Sequence, residues 1–179
     1  AIYRTRPNPA VGCVIVKQHQ IVGRGATAPV GGSHAEVFAL KQAGDQAQGA
    51  TAYVTLEPCA HYGRTPPCAN GLVEAGISRV VIACSDPNPL VAGKGVQILK
   101  NAGIEVLQGV CEAQAAAQNR GFLKAIATGM PYVRLKVASS LDGRTAMASG
   151  ESKWITGTEA RQDVQHWRAI SGVVITGIE

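Results

Sequence analysis

The chain has 179 residues, of which 46% are hydrophobic and 16% charged. This balance is typical of one globular domain, or of one domain with part of a second. No apolar run approaches the ~20 residues that a membrane-spanning helix needs, and the N-terminus lacks a signal-peptide pattern, so we expect no membrane partner. Five cysteines without secretory signals favour a reducing, cytoplasmic location.

The net charge of +5 is compatible with a nucleic-acid partner, an anionic metabolite or a simple gain in solubility. The basic residues are spread thinly, with no Lys/Arg-rich run and no basic helical stripe. An anionic small molecule is therefore favoured, and we expect no nucleic-acid partner.

The first predicted elements are a hairpin and a helix. Apolar runs at 10–16 and 20–26 flank the polar stretch KQHQ, a pattern typical of a β-hairpin. From Ser33 the apolar spacing predicts a helix that ends at Gly44. Ser33 with Glu36 three residues later matches a capping box.

The middle of the chain alternates β-type runs with helical patterns. The predicted strands are 50–56, 79–84 and 104–109, and the predicted helices are 68–76, 93–103 and 112–129. This alternation predicts an α/β fold, an open sheet with helices on its faces.

The pattern restarts after residue 130. A strand with a turn (132–146), a helix (158–170) and a strand (172–177) predict the opening of a second α/β unit. We therefore divide the chain into domains at 1–130 and 131–179. Because the chain lacks an initial Met and stops on a strand-like run, we expect a fragment.

Four residues have side chains that suit a catalytic zinc site: His34, Glu36, Cys59 and Cys68. Imidazole and thiolate are common zinc ligands, and three protein ligands with one open position mark a catalytic site. Glu36, two residues from His34, would carry a proton between metal-activated water and a leaving amine. The motifs H-A-E and P-C match a zinc-deaminase signature, except that eight residues separate the cysteines instead of two.

Taken singly, these residues have ordinary explanations. A histidine and a glutamate at a helix start are common, and an isolated cysteine is usually a core thiol. The combination of both motif halves in chain order favours zinc. His61 stays open as a fourth ligand, a substrate contact or an exposed loop residue. Cys13, Cys84 and Cys111 lie in apolar or strand-end contexts and are interpreted as structural.

Five blocks of the sequence together resemble one enzyme family: PNPAVGCVIV, HAEVFAL, TAYVTLEPCAHYGRTPPC, DPNPLVAGKG and LKVASSLDGRTAMASGESKWIT. This is the bifunctional riboflavin-biosynthesis deaminase–reductase family, and the resemblance covers essentially the whole chain. The long spacer between the cysteines separates that family from cytidine and tRNA-adenosine deaminases.

The resemblance implies a cytidine-deaminase-like three-layer α/β/α domain, followed by the start of a dihydrofolate-reductase-like α/β domain. It implies zinc-dependent hydrolytic deamination of 2,5-diamino-6-(5-phosphoribosylamino)pyrimidin-4(3H)-one, and NADPH-dependent reduction of the ribosyl group by the second domain. It makes His34, Cys59 and Cys68 the zinc ligands and Glu36 the proton carrier.

The resemblance also implies substrate and cofactor contacts. Asn8 and His61 would hold the pyrimidine, while Arg64, Asp86 and Asn88 would bind the phosphoribosyl part. In the second domain, the matching positions are Ala138 and Trp154 toward NADPH, and Ser152 and Arg168 toward the phosphorylated substrate. Without the resemblance, Trp154 would be interpreted as core and Arg168 as a solvated helix residue.

Two positions depart from the family pattern. Thr27 stands where a histidine is common, and Gly32 stands where a glutamate often precedes the motif. We expect these changes to alter the hold on the substrate. We further expect a homo-oligomer, and a deaminase joined to an incomplete reductase.

Two rival functions remain open. One is a deaminase of another pyrimidine or of a tRNA base. The other is a binding module with purely structural zinc, which requires a fourth ligand such as His61 and leaves Glu36 without a role.

Overall fold

The computed structural model describes residues 1–62 and 66–177. The chain divides into two compact units, unit 1 (Ala1–Tyr132) and unit 2 (Val133–Glu179).

Unit 1 contains a mixed sheet. The described residues form five strands in the order β2-β1-β3-β4-β5. The strands are β1 (Gly12–Lys17), β2 (Gln20–Ala26), β3 (Thr51–Leu56), β4 (Arg79–Cys84) and β5 (Glu105–Gln108). β1 pairs antiparallel with β2 and β3, whereas β4 pairs parallel with β3 and β5. Each of these strands lies in a segment that the sequence predicts as β.

The predicted hairpin is confirmed. Its turn consists of Gln18 and His19, whose φ angles are 49° and 63°. Two successive residues with positive φ are the requirement of a type I′ turn, which follows the right-handed twist of the two strands.

The helices of unit 1 pack against the sheet in two clusters. They are α1 (Ala35–Ala43), α2 (Cys68–Glu74), α3 (Lys94–Asn101), α4 (Glu112–Gln118) and α5 (Arg120–Thr128). The first three share one buried cluster with β1, β3 and β4, to which the helices contribute Ala35, Ala39, Ala43, Ala69, Leu72, Val96 and Leu99. A smaller cluster joins Leu56 and Cys84, at the strand ends, to Ala115 of α4.

Helix α1 lies unusually close to β2, because β2 contains two glycines. A Cβ atom on Gly25 would lie 1.9 Å from the Ala35 carbonyl oxygen, and one on Gly23 would lie 2.2 Å from that of Ala39. No other residue type fits at these two positions without moving the helix.

The single helix predicted at 112–129 is wrong. The structure contains two helices, and Asn119 between them has φ −110° and ψ 21°. The buried Asn119 side chain bonds to the backbone of Ala10 instead of facing solvent. The predicted helix end at Gly129 is confirmed, because Gly129 has φ 70° and caps α5.

Unit 2 contains helix α6 (Thr158–Ala169), within the predicted 158–170. The strands predicted at 132–146 and 172–177 are wrong, because none of the described residues there is in a strand. A strand needs a hydrogen-bonded neighbour, and the backbone bonds found here are local ones such as Ser140 N–H to the Arg144 carbonyl. In the described part of the chain, no helix is long and apolar enough to cross a membrane.

Candidate active site

Three side chains of unit 1 converge on one point. The His34 Nδ1 atom lies 3.2 Å from Cys68 Sγ and 3.5 Å from Cys59 Sγ. The three donor atoms all lie within 4.8 Å of one another. Among the described residues, His34, Cys59 and Cys68 form the cluster that could hold a metal ion.

The spacing of these atoms fits zinc. Bond lengths of about 2.3 Å to sulfur and 2.0 Å to nitrogen in a tetrahedron place a nitrogen and a sulfur ligand about 3.5 Å apart. The two observed nitrogen–sulfur distances of 3.2 and 3.5 Å agree with that value. His61 is not among the converging residues, so the described chain offers three ligands and leaves the fourth position of a tetrahedron open.

Each ligand is positioned by the start or end of a regular element. His34 is the residue that precedes α1, and Cys68 is the first residue of α2. Cys59 follows β3 by three residues. The Cys68 N–H donates to Cys59 Sγ at 3.2 Å, and the Ala69 N–H donates to the Cys59 carbonyl at 3.2 Å, so α2 holds Cys59 in place.

The site favours a thiolate at Cys59. The hydrogen bond from the Cys68 thiol, helped by His34 and the Cys68 N–H, lowers the pKa of Cys59 to about 4, although burial opposes the shift. The hydrogen bond to Cys59 likewise raises the pKa of His34. Thiolate is the form of cysteine that binds metals, so Cys59 is prepared for a cation. The same hydrogen bond raises the pKa of Cys68, so that thiol has to lose its proton when a metal binds.

Glu36 lies on the first turn of α1 beside the cluster. It is only 4% exposed, and its carboxyl group lies beside the Cys68 sulfur, close enough for a hydrogen bond. Burial raises the pKa of Glu36 above its usual range. A carboxyl group that holds its proton more tightly than usual, next to a metal site but outside the ligand set, suits proton transfer near neutral pH.

The predicted capping box is wrong. His34, not Ser33, precedes the helix, and the His34 side chain makes no capping hydrogen bond. The Glu36 side chain instead turns inward to Cys68, because the glycines of β2 let α1 bury this face against the sheet.

Three other predicted site residues of unit 1 surround the end of the sheet. Asp86 is buried, and its Oδ1 accepts the Asn88 N–H at 2.9 Å. Burial, and then the charge of Glu57, raises the pKa of Asp86, while His61 lowers it. Asp86, His61 and Cys59 are thus close enough to interact electrostatically. The Asn88 side chain accepts the Leu90 N–H, which shapes the local turn.

The remaining two residues are placed less directly. Asn8 is half-buried on the turn before β1, where its N–H donates to the Thr5 carbonyl at 2.8 Å. Arg64 lies outside the described residues. Of the cysteines interpreted as structural, Cys13 and Cys84 are buried in the core clusters, whereas Cys111 is exposed.

One buried carboxylate beside the site, Glu57, is not among the residues predicted from the sequence. This carboxylate is 4% exposed and accepts the N–H groups of Gly93 at 3.2 Å and Val96 at 3.3 Å. It therefore ties the start of α3 to the loop that carries Cys59. The available signal was an acidic residue directly after the apolar strand TAYVTL, a position that is rarely charged without a partner.

The predicted residues of unit 2 lie on its surface or on irregular segments. Trp154 is 71% exposed, and Arg161 stacks 4.7 Å above its ring. Ser152 and Arg168 are exposed, and Ala138 is half-buried. Trp154 lines a shallow cavity with residues of α6. The prediction of a core Trp154, made without the resemblance, is wrong.

Each of the two units matches a known protein family. Residues 1–84 match the cytidine and deoxycytidylate deaminase zinc-binding region. Residues 131–179 match the RibD C-terminal domain. The predicted fold class is therefore confirmed, a cytidine-deaminase-like α/β fold followed by the start of a RibD C-terminal domain.

Individual relatives give the same result. The riboflavin biosynthesis protein RibD of Haemophilus influenzae is 62% identical over 97% of this chain, which covers 47% of that protein. The structure of Acinetobacter baumannii RibD, form 1, is 77% identical with a TM-score of 0.89, over 96% of this chain and 48% of that one.

A third relative is named for two activities. It is the diaminohydroxyphosphoribosylaminopyrimidine deaminase/5-amino-6-(5-phosphoribosylamino)uracil reductase of Thermotoga maritima, 44% identical with a TM-score of 0.86 over 92% of this chain and 48% of that one. The chain thus spans about half the length of the relatives it matches. The sequence identity, the two family matches and the His/Cys/Cys cluster together show that the chain belongs to the RibD family of riboflavin biosynthesis proteins.

Proposed function

We propose that unit 1 is a zinc-dependent aminohydrolase that removes ammonia from 2,5-diamino-6-(5-phosphoribosylamino)pyrimidin-4(3H)-one. The observation that carries the proposal is the buried Glu36 carboxyl group beside a three-ligand cluster. A structural zinc site needs a fourth protein ligand and has no use for such a carboxyl group. Family membership selects the substrate.

His34, Cys59 and Cys68 would hold the metal. Bound there, Zn²⁺ supplies Lewis-acid activation of water near neutral pH. Glu36 accepts the proton that water loses as its oxygen bonds to the amine-bearing ring carbon. Glu36 then delivers that proton to the departing nitrogen as the carbon–nitrogen bond breaks, so that one water enters and one ammonia leaves.

The pocket residues have roles that follow from their chemistry. Asn8 and His61 would bind the pyrimidine through donors and acceptors on its polar edge. Asp86 and Asn88 would accept and donate to ribose hydroxyls, and Arg64 would pair with the phosphate. The proximity of Asp86, His61 and Cys59 supports a substrate site that begins at the metal cluster.

Unit 2 would belong to the NADPH-dependent reductase, which we place at residues 131–179 after a deaminase domain at 1–130. Ala138 and Trp154 would face NADPH, and Ser152 and Arg168 would face the substrate. The described residues do not build a nucleotide site, since Trp154 is largely exposed and its neighbourhood has no strand. We assign no reduction step to them. We also propose that the protein is cytoplasmic and forms a homo-oligomer.

The test combines metal analysis with ammonia release. The purified chain should contain about one zinc and release ammonia from the diaminopyrimidinone phosphate but not from cytidine. Release from cytidine instead would contradict the substrate assignment. Full zinc occupancy without release from either compound would contradict the catalytic role of the site.

A further inference from the structure

Residues 10–12, the entry segment, lead from the N-terminal turn into β1. Asn8, a proposed pyrimidine contact, lies two residues before this segment on the turn closed by its own N–H. Cys13, directly after it, lies close enough to Glu36 to interact electrostatically. The entry segment therefore joins a proposed substrate residue to the strand beside the proton carrier.

Asn119 binds both polar backbone groups of Ala10. Its Oδ1 accepts the Ala10 N–H at 2.8 Å, and its Nδ2 donates to the Ala10 carbonyl at 2.9 Å. Asn119 is 5% exposed, and both bonds are buried. A primary amide carries the donor and the acceptor that this pairing requires, side by side.

Side chains also bind the next two N–H groups. The Val11 N–H donates to Thr27 Oγ1 at 3.1 Å, and the Thr27 hydroxyl donates back to the Val11 carbonyl at 3.3 Å. The Gly12 N–H donates to Thr55 Oγ1 at 3.0 Å. The three successive backbone N–H groups of residues 10–12 thus donate to side-chain oxygens from three separate parts of unit 1.

The Asn119 contact is not required by the sheet. Strand pairing between β1 and β2 begins at Gly12 and Ala26, two residues after Ala10. The contact also interrupts a helix, because α4 ends at Gln118 and α5 begins at Arg120. The break between α4 and α5 thus places the buried Asn119 amide against Ala10. This contact fixes the path of the backbone just before β1.

We propose that Asn119 is a positioning residue for substrate binding, which with Thr27 fixes the entry segment and thereby the place of Asn8. Asn119 contacts no substrate and acts through the backbone of Ala10. The inference rests on the proposed function, since it takes Asn8 to bind the pyrimidine.

The first test is the variant Asn119→Ala, with Asn101→Ala at the exposed end of α3 as the matched control. Ammonia release is measured against substrate concentration in the zinc-loaded chain. Asn119→Ala should raise KM about five- to tenfold, since the Ala10 N–H loses its partner and the Ala10 carbonyl keeps only the Gln118 amide, at 3.4 Å. Its kcat should stay within about twofold and its zinc content should be unchanged. An unchanged KM, or a loss confined to kcat, overturns the inference.

A milder pair of variants covers the case in which Asn119→Ala does not fold. Thr27→Val keeps the shape of the side chain but removes the hydroxyl, whereas Thr27→Ser keeps the hydroxyl. KM should rise in Thr27→Val and return toward the wild-type value in Thr27→Ser. Equal KM values in both variants overturn the inference.

Amide hydrogen exchange separates this inference from the proposed function. If the wild-type chain releases no ammonia, the proposed function is wrong, but the hold on the entry segment is still measurable. Exchange of the amides of residues 10–12 should be about tenfold faster in Asn119→Ala than in the wild type or Asn101→Ala. Equal exchange in all three proteins overturns the inference.

Discussion

The two units hold their functional candidates in opposite ways. In unit 1, Glu36 is 4% exposed and the donor atoms of His34, Cys59 and Cys68 lie within 4.8 Å of one another. In unit 2, Trp154 is 71% exposed and lies on an irregular segment. Both sets of residues lie in sequence blocks that carry the family resemblance. A motif therefore becomes a site only where buried elements hold its side chains together.

The elements of the two units explain the difference. Helix α6 forms in unit 2 because its hydrogen bonds are local, between residues four apart. Strands need partners, and the candidates of unit 1 follow strands that have them. Four experiments test how far this contrast extends.

The largest effect is expected for Glu36→Gln. The amide keeps the size of the side chain but cannot accept and return a proton, so ammonia release should fall about 10²–10⁴-fold. Zinc content, measured in the same samples, should stay at the wild-type level. Glu74→Gln, exposed on α2, is the matched control and should keep full turnover. Parallel loss of zinc and turnover in Glu36→Gln would make Glu36 a structural residue.

The contrast in burial predicts unequal losses of stability. Leu72 is fully buried, so Leu72→Ala should lower the free energy of unfolding by about 2–5 kcal/mol. Leu135 is 86% exposed, so Leu135→Ala should change it by less than about 0.5 kcal/mol. Urea titration followed by circular dichroism measures both. Similar losses in the two variants would remove the contrast between the units.

The close approach of α1 to β2 predicts a further loss within unit 1. Gly25→Ala would place a Cβ atom 1.9 Å from the Ala35 carbonyl oxygen, so α1 must move. The free energy of unfolding should fall by about 1–3 kcal/mol. Turnover should fall too, since α1 carries Glu36. Gly121→Ala is the control, because a Cβ atom there meets nothing within 4 Å, and it should be neutral or slightly stabilising.

The smallest effect is expected for Asp86→Asn. The pKa of Asp86 is raised mainly by burial, so its ionised form destabilises the fold, and this cost is fully present above the raised pKa. Asparagine avoids the cost and still accepts the Asn88 N–H, so at pH 7–8 the melting temperature should rise by about 2–4 °C at most.

The sign follows from proton binding. The folded state holds its proton more tightly than the unfolded chain, so the wild type loses stability as pH rises through the raised pKa of Asp86. The advantage of Asp86→Asn should therefore shrink as pH falls to about 4 and below, because the unfolded chain then also binds the proton. Thermal melts at several pH values measure it, and Asp45→Asn, exposed on the short 3₁₀ helix after α1, controls for net charge. An advantage that grows as pH falls would contradict this account.

The sequence predicted most of unit 1 correctly, but the errors share one cause. The hairpin, the β-type runs and the helix stop at Gly129 depend on local preferences of neighbouring residues. The missed features are long-range: the break at Asn119 serves Ala10, 109 residues away, and Glu57 binds the start of α3. No local pattern contains these partners.

The sequence by itself determined the α/β fold class, the family and the ligand types His34, Cys59 and Cys68, because these depend on residue identity and local spacing. Only the tertiary structure decided that Glu36 turns inward to Cys68 rather than capping α1, and that Asn119 holds the entry segment. A buried polar side chain must form hydrogen bonds with the groups around it, and these groups determine its orientation. They can be distant in the sequence, and only the folded chain brings them near.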